Sequence, residues 1–311
     1  MPAIKHWIEP SMKRLLFAIL ALAACPKPST TPDAGPQTRP VFTIKNGCAE
    51  EIWIQQQGMP AGTPAVVKLE RGKGTTYNIP IAGLASTRFW AKWGCDKDGQ
   101  NCKVGQSSPP CPKTGCAPPV DSKIEATWGC DLPEAQCGRT PQGKTLKGAT
   151  FWNASAVDGY TLPFQIEVGA GGGAGCEPVN CNETYQGQCP TDENLSTDGK
   201  YPDLKSVDLH ASDGYGCFSP CMKLTTATSA GGKGYLPSDA QAQWYCCPTP
   251  PISSPACQKG PVPKTKYVQN IHAACHNTAY GYAYDDGLGT RTCTPTTKII
   301  MTYCPPQPAA K

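Results

Sequence analysis

Residues 150–168 read TFWNASAVDGYTLPFQIEV. Phe164, Ile166 and Val168 alternate with Gln165 and Glu167, the period of a strand with one face buried. Phe151, Ala154, Ala156 and Tyr160 mix faces, so the first half of the stretch is a less regular strand. Between the halves, Asp158-Gly159 marks a bend, because glycine adopts backbone angles closed to other residues. The expectation is two strands joined at that bend, with Asp158 at a strand end, where loops carry function. Taken alone, the same pattern describes an ordinary hairpin with a surface Asp.

The surroundings are turn-rich. Gly 32 and Pro 33 together exceed a fifth of the 311 residues, which favours many short elements over long helices. With 28 basic against 24 acidic residues, the chain has no charge excess of the kind that binds nucleic acid. At the start, Lys13 and Arg14 precede an apolar run at 15–22, followed by Ala23, Ala24 and Cys25. A basic start, a short apolar core and small residues before a cut make an export signal at 1–24, with Met12 as an alternative start. The run is too short to span a bilayer. Leu22-Ala23-Ala24-Cys25 resembles a bacterial lipobox, which implies a lipidated Cys25 and a cell-envelope lipoprotein; full secretion is the alternative. Residues 25–40 are Pro-rich and lack the apolar side chains of a core, so they read as a tether, leaving 41–311 as the folded domain.

Removing Cys25 from the 19 cysteines leaves 18, an even number. Behind an export signal this reads as up to nine disulfides. A metal site is the weaker reading, since the chain has only four His and no paired zinc-knuckle spacing; no metal and no cofactor are expected. Spacing alone does not give the connectivity.

A resemblance supplies it. Cys176-x4-Cys181-x7-Cys189, Cys217-x3-Cys221, the Cys246-Cys247 doublet and the tail from Ala279 through Asp285-Asp286, Cys293 and Cys304 together resemble the thaumatin-like proteins, as does the 150–168 stretch. The resemblance spans roughly residues 41–305. It implies a mainly β fold: an antiparallel β-sandwich (about 41–180 plus 276–305) with a disulfide-rich, loop and short-helix subdomain (about 181–275). It implies the pairs Cys48–Cys304, Cys95–Cys102, Cys111–Cys116, Cys176–Cys293, Cys181–Cys275, Cys189–Cys217, Cys221–Cys246 and Cys247–Cys257, leaving Cys130–Cys137 as a ninth, local pair. The family's opening signature is only partly present, with the expected Cys displaced to Cys111.

Strands are expected at 41–46, 51–56, 66–70, 75–80, 88–94 and 298–303, with a turn at 71–74 joining two of them. Short helices are expected at 180–185 and 267–275, the second with Val268, Ile271 and Cys275 on one face. Residues 169–175 form a Gly-rich linker without the Gly-Lys-Ser/Thr ending of a phosphate loop.

No Gly-x-Ser-x-Gly nucleophile occurs, and His272 and His276 lack the Glu of a zincin motif. Carboxylates are the better candidates. The family's cleft is lined by an Arg, a Glu and three Asp; carried over, the resemblance points to Lys92, Glu125, Asn153, Asp158 and Asp285. Lys92 stands for the Arg and Asn153 for an Asp. Glycoside hydrolysis needs two carboxyl groups, one protonating the leaving oxygen; here Glu125 would be the acid and Asp158 its partner. With Asn153 removing a charge and Lys92 lacking the guanidinium fork, three functions stay open. They are binding of β-1,3-glucan or a related cell-wall polysaccharide in a defensive or antifungal role, weak endo-β-1,3-glucanase activity, and a protein-interaction or inhibitor module. The expected partner is a polysaccharide, with the membrane reached only through the lipid, and the protein is expected to be a monomer. Trp90, Trp93, Trp128, Trp152 and Tyr160 lie near the cleft-forming segments, where rings stack on sugars or fill a core.

Overall fold

The computed structural model describes residues 37–106, 121–184, 186–211 and 214–306. Cys25, the leader, the tether up to residue 36, and the Cys111–Cys116 pair lie outside them. Thirteen strands are found among the described residues: β1 (Thr38–Asn46), β2 (Ile52–Gln57), β3 (Val66–Leu69), β4 (Gly74–Pro80), β5 (Leu84–Trp93), β6 (Lys123–Trp128), β7 (Thr150–Ser155), β8 (Gly159–Tyr160), β9 (Phe164–Val168), β10 (Val179–Cys181), β11 (Cys217–Phe218), β12 (Thr290–Cys293) and β13 (Ile299–Tyr303). The helices are short: α1 (Pro220–Thr225), α2 (Gln243–Cys246), α3 (Ser254–Lys259), α4 (Lys266–Ala274) and α5 (Asp286–Gly289). No helix of the described residues is long and apolar enough to cross a membrane.

Two sheets face each other. One runs β12-β7-β6-β5-β2-β3 and the other β10-β9-β13-β1-β4, with β8 and β11 forming a small pair of their own. All pairings are antiparallel except β1 with β13, which run parallel. Alternation sets the core. Ile124, Ala126 and Trp128 of β6 and Phe89 of β5 point inward to meet Phe42, Tyr77 and Ile166 of the other sheet. The Phe42 ring lies 4.8 Å from Phe89 and 5.5 Å from Trp128.

The 150–168 stretch is not a hairpin. β7 pairs with β6 and β12 in one sheet, while β9 pairs with β13 and β10 in the other. The bend at Asp158-Gly159 (Gly159 φ 145°) therefore carries the chain from one layer to the other. The turn after β3 does the same, since β3 pairs with β2 and β4 with β1. The helix expected at 180–185 is also replaced: residues 179–181 pair with 164–166 as β10, and Cys181 is bridged to Cys275. α4 forms as its pattern requires, with Thr265 Oγ1 accepting from Val268 N and with Val268 and Ile271 buried.

Among the described residues eight disulfides join Cys48–Cys304, Cys95–Cys102, Cys130–Cys137, Cys176–Cys293, Cys181–Cys275, Cys189–Cys217, Cys221–Cys246 and Cys247–Cys257. Between Cys181 and Cys275 the only described strand is the two-residue β11, and four of the described bridges have both ends in that segment, its two bounding cysteines included. This density of bridges is consistent with export to an oxidising compartment.

Candidate functional site

The outer face of the six-stranded sheet carries the site. Strand register brings Gln57, Arg88, Glu125, Asn153 and Thr290 into one row across β2, β5, β6, β7 and β12. One step along lies a second row, Gln55, Trp90, Lys123 and Ser155. From Arg88 to Thr290 the first row floors an open groove of about 380 Å³, lined also by Ser86, Thr127 and Phe151. The second row is buried; Trp90 Nε1, for example, donates to Gly105 O at 3.0 Å.

In the groove, Arg88 Nε donates to Glu125 Oε1 at 3.0 Å, and Nη2 lies 2.8 Å from the same oxygen. Both side chains are 30% exposed, so the pair faces solvent. Asn153 sits directly across from Glu125, and its buried Oδ1 has no hydrogen-bond partner among the described residues. Phe151, 48% exposed, is the largest exposed ring in the groove.

Behind the groove is a buried charge cluster. Lys123 Nζ forms an ion pair with Asp158 Oδ2 and lies 3.1 Å from Asp121 Oδ1. Lys123 is 1% exposed, Asp121 0% and Asp158 27%. The Asp121 carboxylate thus lies within hydrogen-bond distance of the same ammonium. Burial pushes the Asp121 carboxyl up to about 6, with Lys123 opposing and the Asp158 charge adding to the rise. Burial also works against the Lys123 ammonium, but Asp121 and Asp158 outweigh it and hold its pKa above the ordinary lysine value.

The residues expected in the cleft are therefore only partly brought together. Glu125 and Asn153 share the groove floor. Asp158 is turned to Lys123. Lys92 does not line the groove: it is fully buried, Nζ donating to Gln55 Oε1 at 3.4 Å, and burial lowers its pKa against the pull of Asp96. Asp285 does not line it either. It is buried, Oδ2 accepting from Gly281 N at 2.9 Å and lying 2.8 Å from His272 Nε2. The groove's cation is Arg88, four residues before Lys92 on the same face of β5. Alternation along 88–92 puts both on one face, but only strand register distinguishes them. Trp90, Trp128, Trp152 and Tyr160 are buried, and Trp93 packs against Tyr215 with their ring centroids 5.3 Å apart. Phe151 is thus the ring available to a ligand in the groove. Among the described residues no group of His, Cys, Asp and Glu is arranged to hold a metal ion.

The Thaumatin family model matches residues 46–305. A glucan endo-1,3-beta-glucosidase of Prunus avium is 26% identical over 271 residues, covering 85% of this chain and 90% of that protein. A pathogenesis-related thaumatin-like protein 3.5 of Cryptomeria japonica is 27% identical over 273 residues, covering 85% and 90%. Among solved structures, a GH family 64 laminaripentaose-producing beta-1,3-glucanase from Paenibacillus barengoltzii aligns with a TM-score of 0.46 and 14% identity, covering 88% of this chain and 78% of that chain. The thaumatin-like xylanase inhibitor TLXI aligns with a TM-score of 0.29 and 18% identity, covering 43% of this chain and 78% of that chain. Because the family match takes in most of the chain, from the end of β1 through β13 with all eight described bridges, this chain belongs to the thaumatin family.

Proposed function

We propose that the groove binds β-1,3-glucan or a related cell-wall polysaccharide and does not turn it over efficiently. The observation that carries this reading is the Arg88–Glu125 pair beside exposed Phe151. A sugar offers hydroxyls to charged donors and acceptors and an apolar C–H face to a ring. Weak endo-β-1,3-glucanase activity, with Glu125 as acid and Asp158 as partner, is the second reading, favoured by the glucosidase named among the relatives. Against it, Glu125 is already engaged by Arg88, Asp158 by Lys123, and a neutral amide stands at Asn153.

Retention on insoluble β-1,3-glucan tests the reading. A hydrogen bond to a charged group contributes about 1.5–3 kcal/mol, so Glu125→Gln with Phe151→Ala is expected to weaken retention by at least about tenfold, with the fold intact. Full retention by this double variant would rule the groove out. Release of reducing sugar by the native protein, abolished by Glu125→Gln, would favour the hydrolytic reading.

The leader supports a second part of the proposal, that the domain is held at a membrane by lipid on Cys25. Cys25→Ser is expected to move the protein from the membrane fraction to the soluble fraction; an unchanged distribution would rule the lipid anchor out.

A further inference from the structure

The buried cluster behind the groove has the parts of an amide-forming site. Lys123 Nζ, at the start of β6, touches the carboxylate of Asp158, which sits just before β8, and a second carboxylate, Asp121, lies 3.1 Å away. The surroundings are dry and rigid. Trp90 stands opposite Lys123 in the strand register, and Trp90, Tyr160, Tyr267 and Tyr303 are all fully buried. Tyr303 Oη donates to Ser122 O at 2.9 Å and Tyr267 Oη to Ala156 O at 2.6 Å, which fixes the backbone on both sides of the pair. Asp158 O accepts from Ser219 N at 3.2 Å.

We propose that Lys123 and Asp158 join through an intramolecular isopeptide bond, Nζ to Cγ, formed once after folding with Asp121 as the proton carrier. Asp121 takes one proton from the Lys123 ammonium, and the freed Nζ lone pair attacks Asp158 Cγ. Asp121 returns that proton to the Asp158 oxygen that will leave. A second Nζ proton follows by the same route as the C–O bond breaks. The oxygen departs with two hydrogens as water, Nζ keeps one, the two opposite charges cancel, and Asp121 ends as a carboxylate. No oxidant or further reactant is needed.

Three features favour the step. The fold holds the Lys123 amine against the Asp158 carboxylate, and such positioning is the condition under which intramolecular reactions gain most. A dry interior disfavours separated charges and so favours the neutral amide over the ion pair. Burial raises the Asp121 pKa, which suits it to carry a proton near neutral pH. Asp158 is the one partly exposed member, which leaves the departing water a way out. The reaction runs once per chain, so a small fraction of neutral amine is sufficient.

The test is a peptide map of the exported, folded protein after full reduction, alkylation and trypsin digestion. The expected result is a branched peptide joining the segments around Lys123 and Asp158, lighter by one water than the two linear peptides together. Trypsin should not cut after Lys123. Recovery of linear peptides cut at Lys123, with no branched species, would overturn the proposal. Lys123→Arg and Asp121→Asn should each give only linear peptides. A branched peptide persisting in Asp121→Asn would overturn the role given to Asp121. The native map decides alone, so a variant that fails to fold does not leave the question open.

Discussion

Replacing Lys123 with methionine is expected to destabilise the domain by about 3–5 kcal/mol, because it leaves two carboxylates in a site that is otherwise dry. Asp121 is fully buried and, among the described residues, Lys123 is the cation paired with it, with Arg88 acting from further off. The expected loss is the cost of stranding charge, which differs from the net value of the ion pairs. Lys123→Met combined with Asp121→Asn and Asp158→Asn should therefore recover much of it. Denaturant unfolding with the disulfides intact measures both. A triple variant as unstable as the single one would mean that packing around the lysine stem, and not charge, is what Met disrupts. The figure is for the ion pairs alone; a Lys123–Asp158 amide would close a loop as well and add to it. Asp121 also gives the cluster a pH signature. Its folded pKa of about 6 lies above that of an unfolded Asp near 4. Between those values the folded state holds the proton more tightly, so stability from this group is fully present below about pH 4 and is lost as pH rises through 6. Relative to Asp121→Asn, the native protein should lose on the order of 2 kcal/mol across that window.

Strand existence was legible wherever one face is buried and the other polar. Phe164-Ile166-Val168 is β9, with Phe164 and Ile166 buried, and 41–46 falls within β1. Strand partners were not legible. Asp158-Gly159 and Arg71-Gly72 carry sound turn chemistry, but a turn states only that the chain changes direction. In a sandwich the next strand can enter the facing layer as readily as the adjacent position. The segment 180–185 was misread for a related reason: three residues of strand leave too short a run for period 2 to stand out, and it is pairing with β9 that makes 179–181 extended.

The site divides along the same line. Glu125 and Asn153 are each marked by the resemblance, and their neighbourhood on the groove floor follows from the β6–β7 register. Arg88 carries no motif: the resemblance points to Lys92, which alternation puts on the same face, and the groove ends between the two, a property of what covers the sheet. The tryptophans failed as a binding surface for the opposite reason. Trp128 and Trp152 sit at inward positions of β6 and β7, while Trp90 faces outward and is then covered. Phe151, at an outward position beside the open row, carries no sequence signal beyond its parity. Lys123 was quoted only as part of the motif around Glu125. Its burial shows only once Asp158 and Asp121 are folded against it.

Removing the Cys48–Cys304 bridge, as Cys48→Ser with Cys304→Ser, is expected to cost about 5 kcal/mol and lower Tm by roughly 10–15 °C for a domain of this size. The bridge can form because β1 and β13 are parallel. Asn46 lies opposite Tyr303, so both strands end at the same edge and deliver Cys48 and Cys304 side by side. The two are 256 residues apart. Cys176–Cys293 shortens the loop that is actually closed to roughly 140 residues, and because closure entropy grows only logarithmically the shortening removes little of the effect. The β1–β13 ladder and the other bridges remain, so the folded state should keep its far-UV spectrum and the loss should appear in the unfolded chain. Cys95–Cys102, separated by 7 residues, supplies the contrast. Chain entropy gives its loop about half the effect. If the Cys95→Ser, Cys102→Ser variant loses as much stability as the Cys48→Ser, Cys304→Ser variant, loop length is not what these bridges contribute. Their effect would then lie in local contacts at each sulfur pair, and the tie between first and last strands would have no special standing.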